Sequence, residues 1–242
     1  MIAPSSGYAS GDEPRWRHLR PRTLTGLPVF VCDSRATDLN CHCGKSLFVV
    51  GRENGTRDSP FYEAQMDLAR IPVGANPPHD VNVVVEIPQG GAPVKYEIDK
   101  ASGAIFVDRF LHTAMFYPAN YGFIPHTLSE DGDPIDCMVV SATPVVPGVI
   151  LPSRPIGALI MEDEAGIDEK ILAVPVERLY PFYKQVGSYH DLPTILLEQI
   201  LHFFSHYKDL ERGKWVKLRG WVEPPEAYAL ILAAIARAQP TH

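Results

Sequence analysis

The stretch DGDPID, residues 131–136, puts Asp131, Asp133 and Asp136 within six residues of a 242-residue chain. Two like charges about 4 Å apart repel by roughly 4 kcal/mol at an effective dielectric of about 20. Such a cluster has to be relieved by water, a shared proton or a cation. A D-x-D opening suits a calcium loop, but that loop needs Gly at its sixth position and Glu at its twelfth. Here those positions hold Asp136 and Ala142. Taken alone, DGDPID also reads as a solvated acidic turn. A second acidic stretch, EDEAGIDEK at 162–170, adds Asp163, Glu164 and Asp168, and Glu86 and Glu97 fall in strand-like runs. Two acidic turns at strand ends, with strand-borne glutamates, point to oxygen ligands gathered on hard cations such as Mg²⁺.

Basic and phenolic residues accompany them. Lys95 and Glu97 are two apart on one strand and so project to one face. Arg109 ends the next strand, Tyr117 and Tyr121 lie in FYPANYGFIPHT (116–127), and Lys170 follows Asp168 by two. Tyr207 and Lys208 come late in a long helical pattern. Each of these by itself reads as surface charge or core filler. Carboxylates for metal beside Lys, Arg and Tyr for anionic oxygen describe a site for a polyphosphate held by divalent ions.

The elements that must position these groups are legible from pattern. VNVVVEIP (81–88), VKYEID (94–99) and AIFVDRF (104–110) read as strands, the last two joined as a hairpin by the turn at 99–103. DCMVVSA (136–142), RPIGALIM (154–161) and KILAVPV (170–176) supply further short strands. Many short strands with Gly/Pro turns favour a small barrel. Residues 192–210 carry a broad apolar helical face, with Asp191 as N-cap and Pro193 in the first turn, and 225–238 forms a second helix. The fold class is mainly β with flanking helices (α+β), a small barrel plus two C-terminal helices.

Composition narrows the function. A net charge of −7 argues against non-specific nucleic-acid binding, and no apolar run is long enough to span a membrane. Cys32, Cys41, Cys43 and Cys137 show no regular spacing, which suits a reducing, cytoplasmic setting. A zinc site from Cys32, Cys41, His42 and Cys43 lacks a C-x₂₋₄-C pair, so these read as incidental. Residues 1–65 hold eight Lys/Arg and seven Asp/Glu, with no sustained hydrophobic period. That segment reads as loop or disorder, or as a start assigned too far upstream, leaving 66–242 as the working domain. The basic run at 15–22 has acidic neighbours, which argues against a transit peptide.

Four blocks now carry a resemblance: EIPQGGAPVKYEIDKASGAIFVDRF, YPANYGFIPHTLSEDGDPIDC, DEAGIDEKILAVP and HFFSHYKDLERGKWVK. In order and spacing they resemble the soluble family I inorganic pyrophosphatases of compact bacterial type, over about residues 66–240. The resemblance implies an OB-like five-stranded barrel. It implies Mg²⁺-dependent hydrolysis of pyrophosphate to two orthophosphates by a metal-bridged hydroxide, with several Mg²⁺ per active site. It assigns Asp133 as general base and Asp131, Asp136, Asp163, Asp168 and Glu86 as metal ligands, Asp136 bridging two ions. Lys95, Arg109, Tyr121, Lys170, Tyr207 and Lys208 resemble the phosphate-holding groups, with Glu97, Tyr117 and Glu164 in support. It also implies a homohexamer using the helix that bears His202 and His206. Ile167 departs from the polar residue many relatives carry in the EAGxD turn, at no assigned ligand position. The rival reading is an OB-like module that binds an anionic ligand without catalysis. Such modules bind nucleic acid through a basic groove with stacking aromatics, whereas these loops are acidic.

Overall fold

The computed structural model describes residues 67–239. The expectations for residues 1–65, and for Cys32, Cys41, His42 and Cys43, lie outside them. Eight strands and two α-helices follow in order: β1 (Val81–Ile87), β2 (Val94–Ile98), β3 (Ile105–Phe110), β4 (Asn120–Phe123), β5 (Asp136–Val139), β6 (Ile150–Asp163), β7 (Gly166–Pro175), α1 (Thr194–His206), β8 (Val216–Val222) and α2 (Pro224–Ala238).

Five strands close into a barrel-like ring. β1 pairs antiparallel with β4, β4 with β5, and β7 with β6, while β6 returns to β1 with Val81 opposite Ser153. β5 and β7 are the parallel pair, in a register that sets Asp136 against Lys170. β8 adds to the outer half of β6, and β2 and β3 form a separate two-stranded sheet. The apolar run of β1 is explained by burial on both faces. Val81, Val83 and Val85 join Ile124, Ile135 and Ile171 in a core closed by Ala227, Ile231 and Ala234 of α2. Val84 points the other way, into a small cluster with Leu68, Ile98 and Phe123. Glu86, two residues on, shares the Val84 face, and its carboxylate accepts the Ile98 N–H of β2 at 2.9 Å. The α1 face of Ile200, Phe203 and Phe204 packs on Met138, Leu159 and Leu172. Gly122 lets β4 lie against β1, because a Cβ there would fall 1.9 Å from Val84 O.

Several boundaries differ from the sequence reading. β6 and β7 are longer than 154–161 and 170–176, and their ladder runs out to Asp163 opposite Gly166. The second acidic stretch is therefore a hairpin tip, with Asp168 inside β7 opposite Met161. Asp191 does not cap α1, whose N-cap is Pro193. Its carboxylate instead accepts the Gly187 and Ser188 N–H groups in a capping box on the short helix Tyr189–Asp191. α1 ends at His206, so Tyr207 and Lys208 lie on the turn beyond it. β4 and β8 went unread. β4 is only four residues long and lies in a proline-flanked segment, and β8 mixes half-exposed residues with charges.

Candidate active site

A cleft of about 490 Å³ opens where the β2–β3 sheet, the 131–136 turn, the ends of β5 and β7, and the segment after α1 meet. Apart from Glu164, every site residue expected from sequence lines it: Glu86, Lys95, Glu97, Arg109, Tyr117, Tyr121, Asp131, Asp133, Asp136, Asp163, Asp168, Lys170, Tyr207 and Lys208. Glu164 sits at the hairpin tip, paired with Lys214 and 3.7 Å from Lys208. Ile167 is also at that tip, outside the cleft.

The centre of the cleft is built on the parallel β5–β7 pair. Asp136 begins β5, and Asp168 and Lys170, two apart, share one face of β7. The buried Lys170 Nζ donates to Asp136 Oδ2 at 2.7 Å, Asp168 Oδ1 at 3.0 Å and Tyr121 OH at 3.1 Å. Desolvation would pull this lysine's pKa down, but Asp136 and Asp168 outweigh it and hold it well above the usual value. Tyr121, from β4, donates to Asp136 at 2.5 Å. Burial and the Asp136 charge push its phenol far up, so it serves as a donor.

The acidic turn stands at the mouth. Gly132 takes φ +95°, which a side chain rarely adopts, and lets the chain reverse so that the Asp133 N–H caps Asp131 Oδ1 at 3.0 Å. Burial, then the charges of Asp168, Asp133 and Asp136, raise the Asp131 carboxyl. The Asp133 side chain is 75% exposed and 3.4 Å from Lys100. Across the cleft, Lys208 donates to Asp163 at 2.6 Å and holds that carboxyl below the usual range despite its desolvation. Lys95 of β2 pairs with Glu97 at 2.5 Å and Asp108 at 3.4 Å. Glu86, 8% exposed, lies at the inner wall, where burial pushes its carboxyl to about 7.

Nine carboxylate and five basic side chains line this cleft. Among the described residues no three carboxylates, histidines or cysteines converge at coordinating distance, since Lys170 and Lys208 stand between them. The donor set is oxygen-only and in excess over its own cations, which fits hard divalent ions. Sequence reasoning missed Lys100 and Glu211, both in the lining. Lys100 lies in the β2–β3 turn and Glu211 three residues after Lys208, where each reads as ordinary surface charge.

This geometry can be set beside known proteins. A family model described as inorganic pyrophosphatase matches residues 83–239. The chain belongs to the inorganic pyrophosphatase family. The inorganic pyrophosphatase of Caulobacter vibrioides is 69% identical over 172 residues, which cover 71% of this chain and 97% of that relative. Among solved structures, the Thermus thermophilus inorganic pyrophosphatase is 44% identical with a TM-score of 0.68, covering 72% of this chain and 100% of that one. The Anaplasma phagocytophilum inorganic phosphatase is 49% identical with a TM-score of 0.69, covering 70% and 99%. A pyrophosphatase fold thus accounts for the mainly β architecture with its two helices, and among the described residues no helix is long and apolar enough to cross a membrane.

Proposed function

We propose that this chain hydrolyses inorganic pyrophosphate to two orthophosphates with magnesium as cofactor. The observation that carries the reading is the cleft, in which acid-rich turns face lysines and an arginine from four separate elements. Asp131, Asp136, Asp163, Asp168 and Glu86 are the residues that would hold the ions. When bound, magnesium neutralises the anhydride's charge and makes hydroxide available from a shared water near neutral pH.

The chain's own groups divide the remaining work. Lys95, Arg109, Lys170 and Lys208 hold the phosphate oxygens by charge, and Tyr121 and Tyr207 do so by O–H donation. Asp136 and Asp168 fix Lys170 in place, so its ammonium is oriented before substrate arrives. Asp133 is exposed at the mouth, and its carboxylate takes the proton from the attacking water. Glu97, Tyr117 and Glu164 support these groups, Glu97 through Lys95 and Glu164 through Lys208.

The proposal includes a cytoplasmic location and assembly as a homohexamer. The exposed His202 and His206 rings, 4.9 Å apart on α1, and the exposed Phe110 of β3 are the faces offered for self-association. Light scattering that gives a monomer at micromolar concentration refutes the assembly. Phosphate release compared among pyrophosphate, ATP and p-nitrophenyl phosphate tests the substrate. Turnover of pyrophosphate at least about a hundredfold above the others is expected, and equal rates contradict the proposal.

A further inference from the structure

Arg109 and Glu211 reach the cleft from different parts of the chain. Arg109 is near the end of β3, and Glu211 lies on the turn after α1 that also carries Lys208. Their side chains come within 3.7 Å, Arg109 Nη1 to Glu211 Oε2. Each holds a buried polar atom without a hydrogen-bond partner, Arg109 Nε on one side and Glu211 Oε1 on the other. Arg109 Nε lies 3.1 Å from Asp108 Oδ2, but without hydrogen-bond alignment. The Glu211 side chain is only 12% exposed, so water does little for its orphaned oxygen.

Glu211 faces the Nη1 edge of the guanidinium, so a small shift brings Nη1 into charge-assisted hydrogen-bond range of the carboxylate and leaves the opposite Nε–Nη2 edge for an anionic oxygen in the cleft. We infer that Glu211 is a positioning residue for Arg109, clamping the guanidinium so that its remaining donors face the phosphate in the cleft. This rests on the pyrophosphatase reading above. The clamp also ties β3 to the Lys208 turn, so two phosphate-holding cations from distant segments share one fixed spacing. Lysine cannot replace Arg109 in this role, because an ammonium is a point charge without a fork.

The test is a double-mutant cycle on the full chain, read as KM and kcat for magnesium pyrophosphate with the thermal midpoint alongside. Glu211→Gln keeps the shape and drops the charge. It should raise KM about tenfold, the scale of one charged hydrogen bond, and leave kcat within about twofold, the signature of lost uniform binding. In the Arg109→Gln background the same change should add less than about twofold. Arg109→Lys in an otherwise unchanged chain should raise KM to a similar degree, which keeps the test decisive if Glu211→Gln does not fold. An unchanged KM in Arg109→Lys, or a Glu211→Gln effect of equal size in both backgrounds, overturns the clamp. A wild-type chain that binds and hydrolyses no pyrophosphate overturns both this inference and the reading beneath it.

Discussion

Replacing Glu86 by glutamine should stabilise the metal-free protein, and by an amount that depends on pH. Glu86 is 8% exposed, and burial raises its carboxyl from 4.5 to about 7. Between those values the folded state holds a proton that the unfolded chain has released. Stability therefore falls as pH rises through this window, and the full penalty is present above about 7. The rise from 4.5 to about 7, at about 1.4 kcal/mol per tenfold change in proton affinity, makes that penalty about 3 kcal/mol. Glutamine keeps an oxygen for the Ile98 N–H and carries no charge to desolvate. Urea unfolding in EDTA should then show Glu86→Gln more stable than wild type by about 3 kcal/mol at pH 8. The difference should shrink below about 1 kcal/mol at pH 5. Equal gains at both pH values, or a loss at pH 8, would refute the claim that an uncompensated buried carboxylate lines this wall.

Further outcomes test the rest of the site. Lys170→Met leaves Asp136 and Asp168 facing each other without their ammonium, and should cost the metal-free protein about 3 kcal/mol in urea unfolding; a loss under about 1 kcal/mol contradicts the pairing. Because the lysine pKa is raised, its contribution is complete below the usual lysine value and fades only as pH climbs through the raised one, so this deficit persists at neutral pH. Asp133→Asn should slow turnover by about 10²–10⁴-fold with metal affinity by calorimetry largely kept, whereas Asp136→Asn should damage both; wild-type turnover in both variants removes the assigned roles. A chain beginning at Met66 should fold and hydrolyse pyrophosphate like the full chain, and lost activity on this truncation shows that residues 1–65 are needed.

The parts of the site that sequence made legible were those compressed into short, chemically dense stretches. Asp131 and Asp133 had to occupy a turn because Gly132 and Pro134 prevent a regular element, with Asp136 opening the strand that follows, and Gly132 indeed takes a positive φ. Lys95 with Glu97, and Asp168 with Lys170, could be placed on shared faces because strand periodicity is two. What pattern could not supply was contact between distant segments. Nothing near Lys100 or Glu211 in the chain signals that they meet Asp133 and Arg109, 33 residues away in the first case. β4 hid between prolines, and its pairing with β1 depends on a close approach at Gly122 that only the folded sheet reveals. Asp191 fitted a helix cap equally well by type, but Ser188 three residues earlier captured it for a shorter turn.

The most direct test of the central claim is phosphate release from pyrophosphate by one preparation of the full chain, first in EDTA and then after magnesium is restored in excess. The account predicts no release above background in EDTA and full, rapid hydrolysis on adding Mg²⁺, with Ca²⁺ a poor substitute because its longer, looser coordination does not suit these carboxylates. Full activity in excess EDTA, or no activity with magnesium present, would contradict it.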